Sequence, residues 1–418
     1  MQGTRFKLFP QPQFLDEFEE PEIVEVSSPP GSLGPGPQDA RMYTVFPIGK
    51  PQPYGISPDG SDPMAPPWTG DIEAPAMPDE EGHFDYLEPG TPQFEAAHLF
   101  GTVRFVMDIW EDYFGREIPW QADAVYERQE LTILHSLDNA YSGFGFIEMG
   151  ADASTGTLKP FALNFDVIAH ELGHAIIYSE IGVPDPQNVT GEYFGFHESA
   201  ADLVALISSL HFNSLVDRLL ANTRGNLYTL NAANRIAELS DNKQIRIAAN
   251  DTRLCQFAEG WRKEHHLGQP LTGAFFDILV DIFHEMLLDY GAISPEMEDL
   301  SDQLLATAEY APVMQDMFDA AYADHPDQFK RALLDARDIM GTYLADTWQL
   351  LSRQDLNFID VAEAFMEVDQ AHTGGRFATI IRGNFHLRDI GLVDVGPQLE
   401  PLGEDSHANS VRTMLPMD

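Results

Sequence analysis

The segment with the clearest chemical signature is FDVIAHELGHAIIY, residues Phe165–Tyr178. His170 and His174 are four positions apart, and on a helix that spacing places two side chains on one face, about one turn apart. They can therefore present two imidazoles to one metal ion. Glu171 projects beside them, where its carboxylate can accept a proton from water activated by that metal. The apolar residues of the segment predict a buried helix over Val167–Ser179, which would hold these side chains rigidly.

A catalytic zinc ion has three protein ligands and one open position, so the two histidines need a partner on another element. Glu198 is the candidate: it follows His174 by 24 positions, in the segment GFHESAAD that opens a predicted helix over Glu198–Leu210. Asp202 lies one turn beyond Glu198 on the same face and can orient a ligand histidine through its other ring nitrogen. The alternative is an acidic pair at a helix N-terminus, favoured by the helix dipole. The two motifs together favour the metal site.

Several other elements must position this site. Apolar residues at helical spacing predict helices over Ala96–Phe114 and Thr272–Leu288, and helical patterns repeat from Pro295 to about Gln370. The segment AYSGFGFIEM, Ala140–Met149, has the pattern of a strand. The first 93 residues are rich in Pro, Gly and acid, which predicts extended segments with one short strand at Met42–Ile48. This part of the chain is either disordered or wrapped around the folded body.

The composition excludes several classes of protein. The 418 residues include 24 Lys and Arg against 67 Asp and Glu, a net charge of -43. Nucleic acids and anionic lipids both require a basic face, so neither is an expected partner. The single cysteine, Cys255, allows no internal disulfide and no cysteine-based zinc site. No apolar run reaches the roughly 18 residues of a membrane span.

The N-terminus of the sequence has no signal-peptide pattern. For the chain as given, this predicts a cytoplasmic location. Export by a signal-independent route is the alternative.

The segments HELGH and HESAAD resemble the gluzincin metallopeptidases, and most closely the thermolysin-like family, whose pattern is HExxH followed by an Asn-Glu-Ala-x-x-Asp-type segment. Leu137–Tyr141 followed by Glu148–Asp152 is similar to the edge strand that precedes HExxH in that family. This implies that Asn139 and Ala140 hydrogen-bond the backbone of the substrate. The resemblance covers about 94–290, and the chain beyond it is similar only in helical character.

The resemblance implies an α+β fold, a thermolysin-like two-lobe zincin with one catalytic Zn²⁺ that hydrolyses peptide bonds in a peptide or protein substrate. Glu171 is implied to be the general base, and Asp166 stands four residues before the first histidine, as in the family. The implied zinc ligands are His170, His174 and Glu198, oriented by Asp202 and Asp166. The chain then divides into a Pro/Gly/acid-rich segment (1–93), a mixed lobe with HExxH (94–195), an α-helical lobe with the third ligand (196–395) and a polar tail (396–418).

The sequence also departs from the family pattern. His197 stands where the family has an asparagine, and Gln269 stands where the family has its general-acid histidine. His265 and His266, slightly upstream, are the candidates for that role. The family's calcium-binding acids are not recognisable, so Ca²⁺ is not supported.

Two further site residues follow from the resemblance. Tyr193 is the expected transition-state tyrosine, with Tyr178 as the alternative. Arg246 is the candidate for the arginine that helps bind the substrate carbonyl.

These departures leave a second hypothesis open, a catalytically inactive zinc-binding scaffold that binds a peptide or protein partner. The intact base Glu171 argues against it, because a scaffold has no need of that residue. A third and weaker hypothesis is an aminopeptidase on the same fold, for which the sequence shows no GAMEN-like segment.

Overall fold

The structure is a computed structural model that describes residues 3–12, 20–55, 63–154, 156–227, 235–236, 246–258, 260–297 and 310–391. At 235–236, 246–247 and 310–311 only the backbone is described. The predicted polar tail, and the part of the predicted helical region at 298–309, lie outside the described residues. The architecture is mixed α+β, with strands mainly in the first 160 residues and helices dominating the rest.

The N-terminal residues pack against the first long helix. Strands β1 (Thr4–Leu8) and β2 (Glu22–Val26) form an antiparallel hairpin on helix α1 (Pro92–Phe114). Alternate residues of β1 are buried, as expected of a strand with one face on a core. The approach is close because α1 has glycine at position 101: a Cβ there would lie 2.8 Å from the Phe6 ring. The described parts of this segment therefore wrap the folded body.

A four-stranded sheet has the order β3 (Met42–Val45), β4 (Gln129–Ile133), β6 (Phe146–Met149) and β5 (Ala140–Gly143). The first three strands are parallel, and β5 runs antiparallel to β6 at the end of the sheet. The prediction of one continuous strand from Ala140 to Met149 is wrong. The chain reverses at Phe144 and Gly145, and Gly145 adopts φ +84°, a conformation that a side chain disfavours.

The described residues also include two shorter antiparallel pairings and two 3₁₀ turns. Strand β7 (Ala151–Asp152) pairs with β8 (Lys159–Pro160), and β9 (Arg235–Ile236) pairs with β10 (Arg246–Ile247). Single 3₁₀ turns lie at Phe161–Leu163 and Leu254–Phe257.

The helices form the larger part of the core. The long helix α2 (Phe165–Glu180) packs on α3 (Gly191–Ser209), and α3 packs on α5 (Glu264–Asp289). The other described helices are α4 (Asn213–Thr223), α6 (Tyr310–Asp324), α7 (Pro326–Leu350), α8 (Phe358–Thr373) and α9 (Ala378–Leu387).

Helices α3 and α5 begin about two turns earlier than the sequence predicts. Helix α3 begins at Gly191 rather than near Glu198, because the Thr190 hydroxyl caps it by accepting the Tyr193 N–H at 3.0 Å. Glu198 is therefore two turns inside the helix, which removes the interpretation of an acidic N-terminal pair. Helix α5 begins at Glu264 rather than Thr272 and continues through Pro270, although proline lacks one helical N–H donor.

Among the described residues, no single helix is long and apolar enough to cross a membrane. Helices α3 and α4 pass that test only as a pair, and they are bent by 93° relative to each other.

A buried polar cluster fastens the N-terminal segment to the sheet. Lys50 pairs with Glu148 of β6, and both side chains have no solvent exposure. The Tyr54 N–H donates to the same glutamate at 2.9 Å. On β4, Glu130 accepts from the Tyr54 hydroxyl at 2.7 Å and from the Tyr43 hydroxyl at 2.7 Å. These bonds are possible only when the segment lies across the sheet.

His98 is a second fastening point of the N-terminal segment. Its Nε2 accepts the Phe9 N–H at 3.0 Å, so its Nδ1 carries the proton and donates to the Ala162 carbonyl at 2.8 Å. The side chain is completely buried on α1. One neutral imidazole thus joins the end of β1, helix α1 and the 3₁₀ turn before α2.

Acid is expected to destabilise the protein through His98. Burial lowers the pKa of His98 from 6.5 to about 3. Between those values the unfolded chain binds a proton that the folded chain does not, so the free energy of unfolding falls as pH falls. From pH 6.5 to about 5 this one group removes about 2 kcal/mol.

Urea unfolding across that pH range, on wild type and His98→Asn, measures the effect. The asparagine does not titrate, so the free energy of unfolding of the variant should fall less on acidification. The difference should equal the contribution of one histidine proton. Identical pH dependence in the two proteins would contradict the assignment.

Candidate metal centre

The site depends on a close crossing of α2 and α3. A Cβ on Gly173 of α2 would lie 2.7 Å from the Ala201 Cα of α3, so only glycine permits this approach. On α2, His170 lies one turn before Gly173 and His174 directly follows it. On α3, Glu198 lies one turn before Ala201 and Asp202 directly follows it. The crossing therefore turns the histidine face of α2 onto the acidic face of α3.

Three residues that the sequence proposed as ligands meet at this crossing. His170 Nε2 lies 3.4 Å from Glu198 Oε2, and His174 Nε2 lies 3.7 Å from Glu198 Oε1. The two imidazole rings have centroids 4.7 Å apart. The Glu198 carboxylate is thus shared between the two histidines.

Asp202 lies behind the first histidine. Its Oδ1 is 3.0 Å from His170 Nδ1, and both side chains are almost completely buried. The two atoms are at ion-pair distance without hydrogen-bond geometry; a small ring rotation would let the carboxylate accept the Nδ1 proton and leave the Nε2 lone pair for a bound ion. The spacing of Glu198 and Asp202 on one helix face produces this arrangement.

His197 holds the second histidine in the same way. Its Nδ1 lies 2.8 Å from His174 Nδ1, and the two rings stack with centroids 5.0 Å apart. Of two Nδ1 atoms in such a bond, one donates and one accepts; a His174 that binds metal through Nε2 must be the donor. The sequence marked His197 only as a departure from the family pattern. Its position next to Glu198 was the signal that could have identified this contact.

We expect His197→Phe and His197→Asn to separate hydrogen bonding from packing. Phenylalanine keeps a ring beside Tyr178 and Tyr193 but removes the acceptor for His174, so zinc affinity should fall about 10- to 100-fold. Asparagine keeps an acceptor and should lose less. Competition with a chromophoric chelator measures both affinities. The reverse order would show that His197 only packs.

A second close crossing brings α5 to the site. A Cβ on Gly268 would lie 2.7 Å from the Gly195 carbonyl oxygen of α3. One turn before Gly268, His265 Nδ1 contacts Glu198 Oε2. Donor atoms of His170, Glu198 and His265 consequently all lie within 4.8 Å of one another. The neighbouring His266 is exposed.

The two candidate tyrosines have different surroundings. The Tyr193 hydroxyl donates to the Gly182 carbonyl at 2.9 Å. Tyr178 is on α2, one turn beyond His174; burial raises its pKa, and the charges of Glu198 and Glu171 raise it further. Its hydroxyl is therefore the one that shares an environment with the proposed base, while the assignment of Tyr193 stays a prediction.

The proposed substrate-binding residues lie near the helix that carries HExxH. Ala140 is the first residue of β5, the strand at the end of the sheet, and α2 packs against this strand. The Asn139 carbonyl accepts the Gly150 N–H at 3.0 Å. At the turn after β5, the Phe144 ring lies 6.0 Å from that of Tyr178. The edge strand thus runs beside the metal centre.

Asp166 and Arg246 are the remaining predicted site residues. The Asp166 carboxylate, in the first turn of α2, accepts the Gln11 side-chain N–H at 3.2 Å. This contact links α2 to the N-terminal segment. The side chain of Arg246 lies outside the described residues.

The donor set fits a zinc-type ion. Burial alone would raise the pKa of Glu198, but the charges of the surrounding histidines, His265 foremost, bring it well below its usual value. Burial lowers the pKa of His174, which keeps that imidazole neutral. A buried carboxylate anion requires a compensating positive charge, and two imidazoles with one carboxylate are ligands that zinc favours.

The comparisons with known proteins are limited. No protein-family model matches the chain, and no curated protein sequence matches it. Among solved structures, the chain is similar to the precursor of protealysin, a metalloproteinase from Serratia proteamaculans, at 13% sequence identity and a TM-score of 0.43. The match covers 77% of this chain and 83% of that chain.

Proposed function

We propose that the protein is a zinc-dependent peptidase that hydrolyses peptide bonds, with Glu171 as its general base. The observation that carries this proposal is the meeting of the HExxH histidines with Glu198 across the crossing of α2 and α3. An isolated HExxH helix can arise by chance. A carboxylate from a second helix within 3.4 and 3.7 Å of both histidines supports a built metal centre.

His170, His174 and Glu198 would hold the ion. Bound there, zinc would supply Lewis-acid chemistry, because it lowers the pKa of water and polarises a carbonyl group. Asp202 and His197 fix the two imidazoles through their second nitrogens, which prevents them from rotating out of place.

Glu171 would accept a proton from the water molecule that attacks the peptide bond. It follows His170 directly on α2 and is only partly buried, so it can reach a water molecule beside the centre. Its carboxylate accepts that proton and returns it to the departing amine. The Tyr178 hydroxyl, whose pKa is raised by the charges of Glu198 and Glu171, would donate a hydrogen bond to the oxygen that gains negative charge.

The substrate would be an extended peptide. Strand β5 is the last strand of its sheet in the described part of the chain, so its outer edge offers backbone donors and acceptors. A peptide can add to such an edge as a further strand. Because α2 packs on β5, a peptide aligned there would cross the metal centre.

Zinc content and hydrolysis of a quenched peptide library, measured on one preparation with and without a chelator, test the proposal. We expect about one zinc per chain, loss of hydrolysis on chelation and recovery on adding zinc. Hydrolysis that is insensitive to the chelator would contradict the zinc peptidase.

An inactive zinc-binding scaffold is the second candidate, and the contact of His265 with Glu198 favours it. A metal site with four protein ligands is typical of structural zinc. One zinc per chain without cleavage of any peptide in the library would support the scaffold.

A further inference from the structure

A ring nitrogen of His265 lies at least as close to the Glu198 carboxylate as those of His170 and His174 do. We propose that His265 is a fourth protein ligand of the metal in the resting protein, which closes the centre until His265 leaves. This inference rests on the proposed metal site. It adds a ligand from α5, an element outside both HExxH and the Glu198 segment.

The distances among the donor atoms support four ligands. Two atoms bound to one tetrahedral zinc at 2.0–2.1 Å stand about 3.3 Å apart. His170 Nε2 and Glu198 Oε2 are 3.4 Å apart, and the second pair, His174 Nε2 and Glu198 Oε1, is at 3.7 Å. His265 Nδ1 reaches the same Oε2 atom and lies within 4.8 Å of the His170 donor. His174 is not among the three residues whose donor atoms all lie within 4.8 Å of one another, so its side chain must move toward the ion together with its partner Glu198 to complete the set of four.

The backbone, rather than a chance rotamer, places His265 there. Gly268 and Gly195 bring α5 and α3 into contact, and a side chain at either position would meet the other helix. Glu264, directly before His265, and Leu267, two positions after it, are both buried, which fixes the first turn of α5. The imidazole therefore starts from a Cα position that is fixed next to Glu198.

His265 is also the ligand that can leave. Its side chain is 26% exposed, against 2% for His170, 15% for His174 and 10% for Glu198. Closed centres with four protein ligands are structural, whereas catalytic centres keep one position open. The resting protein is then latent, and a substrate that displaces His265 opens the centre.

The ligand count of the zinc-loaded full chain tests this inference. X-ray absorption at the zinc edge distinguishes two imidazoles from three. Wild type should show three imidazoles and one oxygen ligand, and His265→Ala should show two imidazoles. The matched control is His266→Ala, since His266 is the exposed neighbour in the same helical turn. The variant His266→Ala should keep three imidazole ligands.

Chelator competition gives a second readout. His265→Ala should bind zinc at least about 10-fold more weakly than wild type, since loss of even an orienting partner costs that much. His266→Ala should match wild type. Two imidazoles in wild type, or an unchanged count in His265→Ala, would overturn the inference and show that His265 only pairs with Glu198.

The ligand count tests the fourth ligand and the hydrolysis assay tests the peptidase, so either hypothesis can be refuted without the other. Two imidazoles together with chelator-sensitive hydrolysis would refute the fourth ligand and leave the peptidase standing. Three imidazoles without hydrolysis under any condition would support the fourth ligand and refute the peptidase. Because the wild-type spectrum alone gives the count, the result does not depend on the stability of a variant.

Discussion

The variant Glu171→Gln is expected to bind zinc like wild type and to hydrolyse peptides about 100- to 10,000-fold more slowly. The amide has nearly the shape of the carboxylate but cannot accept the proton from water. Glu171 lies beside the ligands and is not one of them, so the metal centre should stay intact. Steady-state hydrolysis and zinc content on the same samples measure both effects.

The matched control is Glu180→Gln, on the same helix. Glu180 pairs with Arg116 at the other end of α2, away from the histidines. The variant Glu180→Gln should leave the rate of peptide hydrolysis unchanged. If Glu171→Gln retained the wild-type rate, the role of Glu171 as base would be refuted, whatever the zinc content.

The variant Lys50→Met should lose about 3–5 kcal/mol of unfolding free energy. Lys50 and Glu148 form an ion pair with no solvent exposure, and removal of the lysine leaves a buried carboxylate without its cation. The same carboxylate fixes Tyr54 through its backbone N–H. The N-terminal segment should therefore separate from the sheet more easily. Urea unfolding near neutral pH measures the loss.

The double variant Lys50→Met with Glu148→Gln provides the control. Glutamine is neutral and keeps an acceptor for the Tyr54 N–H, so the double variant should be more stable than Lys50→Met alone. A loss below about 1 kcal/mol in the single variant would contradict a buried ion pair at this position.

The placement of β3 shows why the N-terminal segment matters to the site. β3 pairs with β4 inside the sheet whose last strand is β5, the proposed peptide-binding edge. The Lys50 cluster and His98 fasten the segment to that sheet and to α1. Residues of the first 93 positions thus stabilise the same body that carries the metal centre.

The sequence by itself determined which residues share a helix face. The spacing of four between His170 and His174, and between Glu198 and Asp202, fixes this because 3.6 residues complete a turn in any helix. It also predicted the helix of HExxH to within two residues at its N-terminus and one at its C-terminus. Such features depend on local geometry, which periodicity reports directly.

Helix ends and strand breaks were less predictable. The start of α3 depends on the cap at Thr190, and the start of α5 depends on tertiary packing that carries the helix through Pro270. The break between β5 and β6 depends on the positive φ of Gly145. A cap, packing against neighbouring helices and a turn residue decide these three cases, and apolar spacing does not reveal any of them.

Only the tertiary structure decided which faces meet. The crossings at Gly173 with Ala201, and at Gly195 with Gly268, bring three helices close enough for their side chains to converge on Glu198. They select His265 over His266 and pair His197 with the second ligand histidine. Periodicity describes one element at a time, whereas these contacts join residues up to 95 positions apart, such as His170 and His265. Their geometry is set by how closely small residues allow backbones to approach.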